Sequence, residues 1–247
     1  MIERPVALIT GGARRIGAAI ARHLHENGWN LAIHYRRSAT EAEALAGELN
    51  LTRPASAAVF AADLCRNTER DALAEAVLNH WQRLDALINN ASSFYPTPIG
   101  EATEAQWDDL FGSNLKAPFF LSQALAGALK RQGGSIINIA DIHADRPLKA
   151  HSLYCMAKAG NVMLTKTLAR ELAPEIRVNA VAPGAIAWPE DAAALSEQEQ
   201  TAILAKVALH RTGDPMDIAR TVRFLLEQAP YITGQIISVD GGRTLQG

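Results

Sequence analysis

Short apolar runs alternate with longer amphipathic segments along the whole chain. The strand-like runs are Val6–Thr10, Leu31–Tyr35, Ala57–Ala61, Ala86–Asn90, Ser135–Ala140, Arg177–Val181 and Ile236–Val239. Between them, apolar residues return at helical spacing in Ile16–Asn27, Thr40–Leu49, Thr68–Trp81, Thr103–Lys130, Ser152–Leu172 and Asp217–Gln228. The strand runs are apolar almost without alternation, the mark of strands covered on both faces. Helices packed on both sides of a parallel sheet satisfy that pattern, and right-handed crossovers favour a Rossmann-like order. The predicted fold is therefore α/β, doubly wound, with a mainly seven-stranded parallel sheet flanked by helices. No repeat, linker or low-complexity stretch interrupts it, so residues 1–247 are read as a single domain.

One region breaks the rhythm. Pro183–Gln200 carries Pro183, Gly184, Pro189 and an acidic, alanine-rich tail. It opens a candidate substrate loop at about 184–210, and both a surface helical excursion and a moving lid fit its composition.

Composition narrows the function classes. With 48% hydrophobic and 20% charged residues the chain is an ordinary globular protein, and its net charge of -2 argues against a nucleic-acid surface. No segment reaches the ~20 apolar residues of a membrane span. The first strand begins soon after Met1, which leaves no room for a signal peptide. Cys65 and Cys155 are the only cysteines and lack metal-ligand spacing. A reducing, cytoplasmic setting and no metal are expected.

Candidate chemistry starts at the first strand. Val6–Thr10 runs into Gly11-Gly12-Ala13-Arg14-Arg15-Ile16-Gly17 and then a helix. Glycines here permit a tight turn and close approach of backbone to a pyrophosphate at the helix N-terminus, although the spacing is not a strict G-x-G-x-x-G. The second strand ends His34-Tyr35-Arg36-Arg37-Ser38, with no acid to hold a ribose 2′-hydroxyl. Two guanidiniums and a hydroxyl suit a 2′-phosphate instead, with Arg14 near enough to join, so NADP(H) is the expected cofactor. Asp63 and Leu64, after the third strand, are placed to meet the adenine; Asp63 fits a helix N-terminal residue equally well. Asn89-Asn90-Ala91 ends the fourth strand beside the topological switch point.

Tyr154 and Lys158 lie four apart on a predicted helix and so share a face. A free phenol, with a pKa near ~10, is a poor acid–base group at neutral pH. A neighbouring ammonium is expected to stabilise the phenolate and bring that proton into range. Asp141 follows the fifth apolar run and belongs at a strand's carboxyl end, where open α/β sheets place their chemistry.

These pieces occur in the order found in the short-chain dehydrogenases/reductases, which the chain resembles over essentially its whole length. The matching residues are Thr10–Gly17, Asn89-Asn90-Ala91, Asn114, Asp141 at the usual serine position, Tyr154-x-x-x-Lys158, Pro183-Gly184 and Asp240-Gly241-Gly242. Within that family it resembles the pteridine reductases. His34–Ser38, the run Asn89-Asn90-Ala91-Ser92-Ser93-Phe94-Tyr95-Pro96, and Asp141 thirteen residues before the tyrosine carry the likeness. Dihydromonapterin and dihydrofolate reductases of the same branch are similar.

The resemblance implies NADPH-dependent reduction of pterins, dihydropterins or dihydrofolate. It implies that Phe94 covers one face of the pterin while the nicotinamide covers the other. Ser92 and Arg15 would bond the pterin edge and cofactor phosphates, and Pro183 and Gly184 would line the cofactor. Tyr154 would donate a proton to a ring nitrogen. Lys158 would bond the nicotinamide ribose and hold the tyrosine's pKa down against Asp141, which orients the phenol. Asn114 would hold a water linking the lysine to solvent; a helix-interior asparagine at a kink is the plainer reading. Trp188 fits a pocket wall and a loop-packing residue equally. The tail with Arg243 would reach a neighbouring subunit, and Thr103–Lys130 with Ser152–Leu172 would form the dimer face of a homotetramer. Two rivals remain at this point, a carbonyl reductase acting on a 3-oxoacyl thioester or small ketone and a non-catalytic NADP-binding regulator.

Overall fold

The computed structural model describes residues 4–186 and 196–245. Seven strands form one parallel sheet in the order β3-β2-β1-β4-β5-β6-β7. They are β1 Val6–Ile9, β2 Asn30–Tyr35, β3 Ala57–Ala61, β4 Ala86–Asn89, β5 Ser135–Ile139, β6 Arg177–Pro183 and β7 Ile236–Val239. Around them lie α1 Arg15–Glu26, α2 Ala39–Thr52, α3 Asn67–Trp81, α4 Glu104–Phe111, α5 Ala117–Gln132, α6 Ser152–Glu171, α7 Glu197–Leu204 and α8 Pro215–Glu227.

The two-residue strand period divides the core. On β1, Ala7 and Ile9 face α1, α2 and α8, where they pack with Ile20, Leu24, Leu45 and Val222. Val6 and Leu8 face α3, α5 and α6, packing with Val77, Leu121, Leu125 and Leu168. Leu8, Ile9, Leu87 and Ile88 are fully buried, and each such side chain contributes about 1.5–3 kcal/mol relative to exposure. With both faces covered, the strands' carboxyl ends are where polar groups can gather.

Chain reversal between β1 and β4 makes the switch point, and side chains fix it. Thr10 Oγ1 accepts from the backbone N–H groups of Asn90 (2.9 Å) and Ala91 (3.0 Å). Asn90 Nδ2 donates to Thr10 O at 2.9 Å and Gly11 O at 3.0 Å. Gly11 has φ +59°, a conformation that favours glycine.

The predicted helix Thr103–Lys130 is instead three pieces. Between α4 and α5 lies a π-helical turn, Gly112–Lys116. Such a turn takes carbonyls out of the α-helical ladder and needs side chains to satisfy them. Asn114 Nδ2 donates to Leu110 O at 2.9 Å, and the freed Asn114 O accepts from Asn161 Nδ2 at 3.0 Å. The helix α7 begins at a capping box, Ser196 with Glu199, and shows that the end of the candidate loop is helical.

Gly17 packs where a side chain has no room. A Cβ there would lie 2.3 Å from Gly11 O and 2.8 Å from Asn90 Nδ2, both held by the stitch just described. Gly17→Ala is expected to lower unfolding free energy by about 1–3 kcal/mol, the usual cost of overpacking, as measured by urea denaturation. A change near zero would mean that the loop and the stitch are free to move apart.

Candidate active site

The first loop is tied to β2 from below. Gly12 N donates to His34 O at 2.9 Å, and His34 Nδ1 accepts from Gly11 N at 3.0 Å. Its Nε2 then donates to Ala62 O at 3.0 Å. His34 is buried with both ring nitrogens engaged, and burial lowers its pKa, keeping it neutral. The ring of His34, a residue expected in the cofactor site, thus supports the glycine-rich loop. The N-terminus of α1 has no side-chain cap and no acid in its first turn, and Arg15 adopts φ +50°. An uncapped end of a twelve-residue helix, with glycines at its approach, fits a pyrophosphate.

Around the end of β2, Arg36 and Arg37 are exposed and Tyr35 and Ser38 are half-buried. Arg14 pairs loosely with Glu41 at 3.7 Å, and Arg36 with Asp109 at 3.7 Å. Asp63 Oδ1 accepts from Cys65 N at 3.0 Å, so it caps its own turn while half-exposed. The Leu64 side chain is buried, which leaves only its backbone to meet a ligand. At β6, Pro183 is buried and Gly184 lies where a Cβ would sit 2.6 Å from Asp240 Cα.

The catalytic candidates converge at the ends of β4 and β5. Tyr154 on α6 donates from its hydroxyl to Asp141 Oδ2 at 2.6 Å. Asp141 Oδ1 accepts from His143 N at 2.8 Å, which fixes the carboxylate as the cap of a short 3-10 turn. Lys158 is buried; its ammonium donates to Ile139 O at 2.8 Å and lies 5.7 Å from the centre of the Tyr154 ring.

Electrostatics correct one expectation. Burial, then the charge and hydrogen bond of Asp141, push the Tyr154 phenol well above its ordinary value, with Ser92 opposing weakly. Lys158 does not hold it down. Burial lowers the ammonium to about 8, against the pull of Asp141. A carboxylate at hydrogen-bond distance outweighs a cation 5.7 Å over the ring centre, so the tyrosine stays a neutral donor.

Ser92 donates to Asn114 Oδ1 at 2.7 Å, and Asn114 Nδ2 also reaches Ser93 O at 3.0 Å. Asn114 therefore holds the Ser92-Ser93 segment against the π-helical turn, in keeping with the plainer reading of an asparagine at a kink. Phe94 is 54% exposed, meets the Tyr154 ring edge-to-face at 4.8 Å and stacks on His151 at 4.7 Å. His151 is a site residue that sequence reasoning missed; its place at the N-cap of α6, three before Tyr154, was the available signal. Trp188 lies outside the described residues. Arg243 belongs to a 3-10 turn, Arg243–Leu245, which Arg146 joins by donating to Thr244 O at 2.8 Å.

Among the described residues no group of His, Cys, Asp and Glu is placed to hold a metal ion, and no helix is long and apolar enough to cross a membrane. Comparison with known proteins matches residues 11–244 to a family described as enoyl-(acyl carrier protein) reductase. Pteridine reductase 1 of Leishmania tarentolae is 40% identical, over 98% of this chain and 96% of the relative. The 3-oxoacyl-[acyl-carrier-protein] reductases of Staphylococcus epidermidis and Staphylococcus aureus are each 38% identical over 96% of this chain, covering 97% and 96% of their own lengths.

The lowered Lys158 value has a measurable consequence. Between about 8 and 10.5 the unfolded chain keeps the lysine proton and the folded protein does not, so this group makes stability rise with pH through that window. Urea unfolding without added nucleotide, at about pH 7.5 and 9.5, is expected to show that rise in the wild type and its loss in Lys158→Met. Equal pH slopes in the two proteins would show that the buried lysine titrates normally.

Proposed function

Since the chain belongs to the short-chain dehydrogenase/reductase family and is a nicotinamide-dependent oxidoreductase, we propose that it reduces pterin or dihydropterin rings, dihydrofolate among them, with NADPH. The observation that carries this reading is the 2.6 Å hydrogen bond from Tyr154 to Asp141, beside the exposed Phe94 ring.

The loop Gly11–Gly17, with Arg14 and Arg15, is suited to the pyrophosphate. Asp63, Leu64, Asn90 and Ala91 border the space for the adenosine and its linkage, and Arg36, Arg37 and Ser38 suit a 2′-phosphate, which distinguishes NADPH from NADH. Lys158 bonds the nicotinamide ribose, and Pro183 and Gly184 border the ring. The reduced nicotinamide, when bound, supplies hydride to a ring carbon. Phe94, backed by His151, offers a flat apolar shelf on which a flat bicycle stacks. Ser92 and Arg15 bond its polar edge.

Tyr154 then gives its proton to the ring nitrogen. Its high pKa makes it a weak acid, and a weak acid matches a strongly basic acceptor. A C=N nitrogen that has gained hydride on its carbon is more basic than a carbonyl oxygen in the same position. Asp141 aims the proton and provides the route for its replacement from water. Asn114 contributes by holding Ser92 in place.

The similar identity of the two staphylococcal enzymes supports a second reading, reduction of a 3-oxoacyl thioester. The assembly we favour is a cytoplasmic homotetramer. An apolar groove of about 490 Å³ between α5 and α6, bordered by the exposed Phe119 and Phe120, supports contact between copies on that face.

NADPH oxidation followed in parallel against biopterin, dihydrobiopterin, dihydromonapterin, dihydrofolate and a 3-oxoacyl thioester tests the reading. Turnover of the pterins is expected; turnover of the thioester alone would make this a carbonyl reductase. Tyr154→Phe should lose turnover by roughly 10²–10⁴-fold, the size of a general-acid contribution, while still binding NADPH. Near-wild-type activity in that variant would remove Tyr154 as the donor. Arg37→Asp should weaken NADPH far more than NADH in a fluorescence titration, and equal losses would mean that the basic turn does not read the phosphate.

A further inference from the structure

Arg36 and Tyr95 come from different parts of the site and meet on one carboxylate. Asp109, on α4, lies 3.7 Å through Oδ1 from Arg36 Nη1. Its Oδ2 accepts from the Tyr95 hydroxyl at 3.0 Å. Arg36 belongs to the basic turn after β2, whereas Tyr95 follows Phe94 and packs on the cluster of Leu110, Leu153, Tyr154 and Cys155. Asp63, Asp109, Arg36 and Lys116 also act electrostatically on Cys65, so this junction lies near Asp63, a residue the reading above sets beside the adenosine.

We propose that Asp109 is a positioning residue that couples the 2′-phosphate end of the cofactor site to the substrate wall, by sharing one carboxylate between Arg36 and Tyr95. This rests on the reading above that the basic turn receives a 2′-phosphate. The Arg36 and Asp109 side chains are 39% and 35% exposed, so their ion pair is weak and exchangeable. A 2′-phosphate carries more charge than a carboxylate and offers three acceptor oxygens, so it wins the guanidinium. Asp109 is then an anion that, among the described residues, keeps the Tyr95 hydroxyl as its donor, and a hydrogen bond to an ionised acceptor is the stronger kind. Tyr95 is thereby held against the Tyr154 cluster, and with it the adjoining Phe94 shelf. NADPH orders the substrate wall in a way that NADH, which lacks the phosphate, does not. The internal pair also opposes NADPH binding, because Arg36 must leave Asp109 and the carboxylate repels the phosphate.

The test is calorimetric titration of NADPH and NADH into wild type, Asp109→Asn, Tyr95→Phe and Arg36→Gln, with melting temperatures confirming that each is folded. Asp109→Asn keeps an acceptor for Tyr95 but removes the charge. It should bind NADPH about three- to fivefold tighter, the range open to a half-exposed ion pair, with NADH changed by less than about twofold. Tyr95→Phe should bind NADH as the wild type does and NADPH no more than about twofold weaker, because a bond that the phosphate strengthens also favours the phosphate. It should lose the tighter binding of dihydrobiopterin to the NADP⁺ complex over the NAD⁺ complex, a coupling of about fivefold at most. Weaker NADPH binding by Asp109→Asn, or equal shifts for both nucleotides, would overturn the proposal. So would a Tyr95→Phe enzyme that keeps the coupling. Arg36→Gln separates the two failures. Selective loss of NADPH there, with Asp109→Asn silent, defeats only the role of Asp109. Equal loss of NADPH and NADH defeats the 2′-phosphate reading itself.

Discussion

The stitch between β1 and β4 is the constraint on which the site depends. Two parallel strands that send their chains in opposite directions open a crevice, and something polar must hold its lips at a fixed distance. Thr10 and Asn90 do so with side chains that satisfy backbone groups on both sides. Gly11 and Gly17 then need no side chain of their own, and the backbone can pass close to whatever lies in the crevice. His34 anchors the other side of the same loop. The glycine-rich turn is therefore rigid in spite of its composition.

A second set of buried polar contacts runs from the sheet to the catalytic helix. Asn89 donates to Asn138, Asn138 to Thr165, and Asn161 to the carbonyl of Asn114 at the π-helical turn. Each link is between 2.9 and 3.0 Å and lies away from solvent, where an unmet polar group is costly. The chain registers α6 against β4 and β5. It thereby sets the height of Tyr154 and Lys158 above the strand ends that carry Asn90 and Asp141.

Much of this was legible in the residues. Unbroken apolar runs identified all seven strands to within about two residues, because strands buried on both faces have no polar alternation to confuse the reading. Tyr154, Lys158 and Asp141 were legible as a group because a helical four-residue spacing and a strand end fix their places independently. The break inside Thr103–Lys130 was not, since the π-helical turn is set by what Asn114 bonds to and leaves the apolar period intact. The strand-end position of His34 was legible, while the direction of its ring is decided by Gly11 and Ala62. The sign of the shift on Tyr154 was misjudged for a similar reason. Spacing places Lys158 on the same face but says nothing of its bond to Ile139 O or of the hydrogen bond from Tyr154 to Asp141. His151 was passed over because its value lies in a ring stacked on Phe94, a partner 57 positions away in sequence.

Asp141 also fixes the net charge of the catalytic pocket. With a serine there, the buried Lys158 ammonium would leave the pocket positive, a field that suits an oxygen becoming an anion. With the carboxylate, the ammonium is balanced and the pocket is neutral overall. A neutral pocket gives no general attraction to anionic groups, so acidic bystanders gain little from entering it. It also makes the addition or removal of one proton the largest electrostatic event the pocket undergoes. The arrangement thus favours chemistry in which hydride and proton arrive together, so that no net charge is left on the reacting group.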